Sequence, residues 1–225
     1  MKDANGKNNS AIIGRLIALL FDLPLVEIVA ELWKLCRKLW RGMANEGIYE
    51  VLEHEATLEL IDKAGKRAKV KKRQRVRYLQ NDVASYLDQA WGDGEFLVNY
   101  KCSPGEEVDR YIDEHKTYLL ISLKGIRKRG DEDDVDIEWE FRDSFLDSTG
   151  QWTSEVSHRT KQFTVQVIFP KTRPPKRVWK SEYLRKRTQL LEQDSFQKLL
   201  DGRYLASWNV KKPRLHERYS LKWEW

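Results

Sequence analysis

From Gly47 onward, apolar residues return at every second position in run after run, the period of a strand with one face buried and one face wet. Ile48, Leu52, Ala56, Leu58 and Leu60 form one such set, against Glu53, Glu55, Thr57 and Glu59. Val135, Ile137, Trp139 and Phe141 alternate with Asp134, Asp136, Glu138 and Glu140, giving a strand whose wet face is wholly acidic. Phe163, Val165, Val167 and Phe169 repeat the pattern, as do Tyr204, Ala206, Trp208 and Val210. Tyr219, Leu221, Trp223 and Trp225 place three aromatic residues on one face, which marks a core strand. Thr117 to Leu123 differs, because Leu119, Ile121 and Leu123 fall on one set and Tyr118 and Leu120 on the other. A strand apolar on both sets predicts a central element covered on both faces. Together these runs predict an all-β, mostly antiparallel β-sandwich of eight to ten strands over residues 47–225.

Turn chemistry separates the runs. Gly65, Trp91-Gly92-Asp93-Gly94 and Ser103-Pro104-Gly105 each break an alternating stretch. Asp201-Gly202 has the composition of a two-residue hairpin, preceded by a short strand, Ser195 to Leu200. Arg173-Pro174-Pro175 cannot donate to a ladder and predicts an extended edge or a crossing. Two stretches read otherwise. Asn81 to Ala90, with Val83, Tyr86 and Leu87 at helical spacing, predicts a short helix or an irregular crossing. Glu107 to His115, rich in carboxylates, predicts a solvated loop.

Before Gly47 the period changes. Residues 1–10 are polar and predict a disordered lead, residues 11–41 an amphipathic helical arm, and residues 42–46 a linker. Pro24 suits a first helical turn and Asp22 a cap. At about 100° per residue, Leu25, Ile28, Val29, Leu32, Trp33, Leu35, Leu39 and Trp40 share one half of the wheel, while Glu27, Glu31, Lys34, Arg37, Lys38 and Arg41 share the other. Arg15, Asp22 and Glu27 inside the apolar stretch argue against a secretory signal and against a membrane span. The stripe is expected to dock to a partner protein or to a second copy. Packing on its own β domain is the alternative, and the acids on the polar face disfavour peripheral membrane contact.

Charge changes the picture next. The 225-residue chain has a net charge of +6 and a pI near 9.1, which suits an acidic partner without requiring one. Residues 63–77 form a basic run containing Lys69, Lys71, Arg73, Arg75 and Arg77, with no acid inside it. Two readings compete: a surface that tracks phosphates, or cross-strand pairing with the acidic strand 134–140. A second basic segment, 171–187, holds Lys176, Arg177, Lys180, Arg185 and Arg187 around Trp179 and Tyr183. Aromatics between cations stack the bases of single strands, but Trp179, Ser181 and Tyr183 also share a period-two face that a sandwich would bury. The two segments together define the alternative function, a nucleic-acid-binding β domain.

Candidate chemistry is sparse. Cys36 and Cys102 lie far apart and form no metal or redox spacing, so two free thiols in a cytoplasmic protein are expected. His54, His115, His158 and His216 are scattered, and neither a nucleophile elbow nor a glycine-rich phosphate cradle is present. No metal or cofactor is implied, and the expectation is a non-catalytic protein-interaction module.

Overall fold

A computed structural model of the chain describes residues 47–225. The chain divides into two compact units, Met1–Ala44 and Asn45–Trp225, and the strands described all belong to the second. The predicted lead, helical arm and linker lie outside the described residues.

Fourteen strands run from Tyr49 to Glu224: β1 (Tyr49–Leu60), β2 (Arg67–Tyr78), β3 (Val83–Ala90), β4 (Glu95–Ser103), β5 (Glu106–Asp113), β6 (Lys116–Arg127), β7 (Glu132–Arg142), β8 (Thr149–Glu155), β9 (Thr160–Phe169), β10 (Arg177–Glu182), β11 (Arg187–Leu190), β12 (Phe196–Lys198), β13 (Tyr204–Lys211) and β14 (Arg218–Glu224). They form a seven-stranded sheet in the order β12-β13-β9-β1-β2-β7-β4, a four-stranded sheet β11-β10-β14-β8, and a three-stranded sheet β3-β6-β5. Pairing is antiparallel throughout except between β1 and β9, which run parallel. The two smaller sheets lie against the inner face of the large one.

That inner face is where the alternating apolar sets converge. Leu58, Val70, Val165 and Phe169 are fully buried, as is Leu221 on the four-stranded sheet. Phe169 meets Trp223 and Trp225 edge-on at 5.5 and 5.6 Å between centroids. The Trp152 indole N–H of β8 donates to the Ala56 carbonyl of β1 at 3.3 Å, pinning one layer to the other. On the three-stranded sheet, Leu119 and Ile121 are buried, and Tyr86 stacks on Tyr49 at 5.1 Å.

Departures from the sequence reading have local causes. In β1 the buried residues before Glu53 are Tyr49 and Val51, not Ile48 and Leu52, because a bulge between Val51 and Glu53 shifts the register by one and reverses the faces. The same effect hides β3. A register shift between Val83 and Ser85 puts Val83 and Tyr86 on one face three residues apart, so a bulged strand imitates a helical spacing. β5 is an acidic strand at a sheet edge and not a loop, its backbone satisfied by β6. β6 is the centre of its small sheet, yet only Thr117, Leu119, Ile121 and Leu123 are buried, and Tyr118, Leu120 and Ser122 are half-buried. β8 and β11 were not foreseen: β8 is polar apart from Trp152, and β11 buries nothing. The Asp201-Gly202 hairpin has a three-residue loop, in which Gly202 donates to Leu199 and adopts φ +86°, the left-handed residue of a turn-plus-bulge connection. Among the described residues no helix is long and apolar enough to cross a membrane.

Gly150 of β8 lies directly opposite Trp223, and a Cβ there would fall 2.3 Å from the indole ring. Because Trp223 is buried on the inner face, it cannot swing away without opening the core. Gly150→Ala is therefore expected to destabilise the domain by about 1–3 kcal/mol, read from urea denaturation; an unchanged midpoint would show that the ring is not fixed over the glycine.

Candidate functional site

The basic run lies on β2, and the fold decides where each cation points. Odd positions face outward, so Lys69, Lys71, Arg73, Arg75 and Arg77 form one row on the open side of the large sheet. On one flank β7 sets Glu140, Glu138, Asp136, Asp134 and Glu132 opposite them in that order. On the other flank β1 sets Glu59, Thr57, Glu55, Glu53 and Glu50 opposite the same five. Nine carboxylates thus flank five cations. Arg77 reaches Glu132 at 2.6 Å and Glu50 at 3.3 Å, and Lys69 reaches Glu138 at 2.6 Å. The hydrogen bond from Arg77 holds the Glu132 carboxyl below the usual carboxylate range, and the same contact raises the guanidinium. Charge pairing, with a second acidic flank the sequence reading did not name, therefore describes residues 69–77. A phosphate approaching this row would meet more negative than positive charge.

Even positions of β2 face inward, and two of them are polar. Lys72, counted within the basic run in the sequence, extends beneath the sheet with its side chain 10% exposed. Its ammonium donates to Asp88 Oδ1 at 2.8 Å and to the Gln89 carbonyl at 2.6 Å, and stands 4.8 Å over the Trp139 ring. Tyr100 donates to the other Asp88 oxygen at 3.4 Å, and Tyr86 donates to Gln74. Nearby His54 is buried against Phe163 at 4.7 Å; burial first, then the positive charge of Lys72 and the neighbouring His158, pushes its pKa down to about 3. Parity with Ala68, Val70, Val76 and Tyr78 was the signal that would have assigned Lys72 and Gln74 to the interior.

The open face also has a cleft of about 230 Å³, lined by Lys69, Asn99, Tyr100, Lys101, Glu138, Trp139 and Glu140. It sits where β4 slips register twice against β7, with Leu97 and Asn99 in left-handed backbone at φ +59° and +54°. Cys102 nearby is a half-buried free thiol whose pKa burial pushes up. Among the described residues no group of three or more His, Cys, Asp or Glu is placed to hold a metal ion.

The second basic segment is arranged differently from the first. β10 turns Val178 into the core and leaves Trp179 half-buried and Tyr183 60% exposed. The inner set is fixed by pairing with β14, where Val178, Lys180 and Glu182 oppose Trp223, Leu221 and Tyr219; the face carrying Trp179 and Ser181 is therefore the outer one, contrary to the buried face expected. Lys180 follows the inner set and is paired with Glu192, and Arg185 is held by Glu182 at 3.0 Å. Lys176, Arg177 and Arg187 are exposed. The partner-docking candidates Leu25 to Trp40 lie outside the described residues.

No family model matches the chain, and no curated protein matches it. Among solved structures it is similar to a Parabacteroides distasonis protein provisionally described as a protease, with a TM-score of 0.49 and 8% identity over 79% of this chain and 40% of that one. A likeness that slight bears on neither fold nor chemistry.

Removing one partner of a buried ion pair leaves the other charged and desolvated, which costs about 3–5 kcal/mol, whereas replacing both with apolar groups is close to neutral. Lys72→Met is expected to lose stability on that scale, and Lys72→Met with Asp88→Leu to regain most of it. Urea denaturation of the two variants checks this; equal losses would mean that Lys72 acts through packing alone.

Proposed function

We propose that the chain is a non-catalytic protein-interaction module, in which the apolar stripe Leu25, Ile28, Val29, Leu32, Trp33, Leu35, Leu39 and Trp40 docks to a partner protein or to a second copy. One observation supports this reading above the others. Eight large apolar residues recur at helical spacing from Leu25 to Trp40, with Glu27, Glu31, Lys34, Arg37, Lys38 and Arg41 on the other half of the wheel. A stripe of that size calls for a covering surface, since an apolar area as large left in water is rare on a monomer. A cytoplasmic setting belongs to the same proposal, and the free thiol of Cys102 suits it.

Light scattering at moderate salt, on the full chain beside a version beginning at Asn45, tests the reading. The full chain is expected to associate with itself or with a captured partner, and the shortened one to be a clean monomer with an unchanged melting temperature. Two monomers, with a lower melting temperature for the shortened one, would assign the stripe to the domain's own core and end the proposal.

A further inference from the structure

We infer that the outer face of the four-stranded sheet is a platform for single-stranded nucleic acid, with bases stacked on Trp179 and Tyr183. This goes beyond the docking of the N-terminal segment and is independent of it.

The registers of β11-β10-β14-β8 place the side chains of this face in rows. One row runs Leu190, Trp179, Lys222, Gln151, and the next runs Thr188, Ser181, Ser220, Thr153. Trp179 stands between Leu190 and Lys222 with part of its surface open, and Tyr183 lies beyond the end of β10, about 13 Å farther along the chain. The Arg218 guanidinium sits 3.9 Å from the centre of the Tyr183 ring. Such a stack fixes the ring upright and adds a cation beside whatever lies on its open side. Between the aromatics, Ser181 and Thr188 hydroxyls meet at 3.0 Å, and those of Ser220 and Thr153 at 2.8 Å. Ser220 itself is buried, so the hydroxyls within reach of phosphates or base edges are those of Ser181, Thr188 and Thr153.

Charge points to the same class of ligand. Arg177, Arg218 and Lys222 belong to this face, and Lys186 lies at the turn that closes it. Its carboxylates are Glu155, held by Lys116 at 2.8 Å, and Glu224, which faces Arg177. The balance is positive, unlike the acid-flanked row on β2. Aromatic rings, cations and hydroxyls on an open sheet suit unpaired bases, whose faces a duplex hides.

Fluorescence anisotropy on the full chain tests this, with labelled 15-nucleotide oligo-dT and oligo-U, a duplex of equal length, and heparin as a competitor. At low salt the single strands are expected to bind more tightly than the duplex. Tyr183→Ala, at an exposed site, and Trp179→Ala are each expected to weaken them roughly five- to a hundredfold. Trp179→Phe should retain most of the affinity, which separates stacking from any effect of Trp179→Ala on folding. Arg177→Gln with Lys222→Gln should flatten the salt dependence by about two units of slope. Absence of single-strand binding, equal binding of duplex, binding of heparin alone, or full affinity in Tyr183→Ala would each overturn the inference.

Discussion

A row of five cations between two rows of carboxylates organises the large sheet. β2 lies between β1 and β7, and its outward side chains are all Lys or Arg over Lys69 to Arg77. Left alone, such a strand would be repelled by its own charge and would accept many registers. Nearly every matching position on the neighbours carries the opposite sign, so a slip of one residue on either side would replace acid with core side chains along most of the row. Individual exposed pairs contribute little, but the rows act together with the burial of Val70, Val76, Ile137 and Trp139 beneath them. Register, face and burial therefore agree on one alignment.

The same alternation carries polar chemistry inward. Because β2 places odd residues outside, Lys72 and Gln74 must enter the core, and the three-stranded sheet answers them with Asp88 and Tyr86. This is where the smaller sheet is tied to the larger by something more specific than apolar contact. The four-stranded sheet, in contrast, is held by aromatic packing of Trp223 and Trp225 around Phe169. Its outer face carries hydroxyls and more cations than carboxylates, while the outer face of the large sheet is spent on neutralising itself.

Much of this was legible in the sequence, and the rest was hidden for identifiable reasons. Strands with strict alternation and large side chains, such as Phe163 to Phe169 and Tyr219 to Trp225, announced themselves, as did the acidic partner strand 134–140. Bulges defeated the reading elsewhere, since one extra residue at Leu52, or the uneven step of β3 against β6 between Val83 and Ser85, breaks the alternation and the pattern no longer shows which face is buried. Short edge strands with no buried residue, such as β11, leave no hydrophobic trace at all. For Trp179 and Tyr183, aromatic character suggested burial, but the face was set by which side of β14 carries Leu221 and Trp223, a fact of pairing that no local pattern contains.

The basic row is held in register by its acidic flanks. Glu55, Arg73 and Asp136 stand side by side across three strands, which permits a direct exchange of sign. Arg73→Glu alone sets like charges on both sides and is expected to cost about 1–2 kcal/mol, from two cross-strand contacts of up to about 1 kcal/mol each. Restoring alternation with Glu55→Arg and Asp136→Arg in the same chain should return the urea midpoint to within about 0.5 kcal/mol of the original. A neutral single variant, or a triple variant that gains nothing back, would show that the acidic flanks do not hold the row.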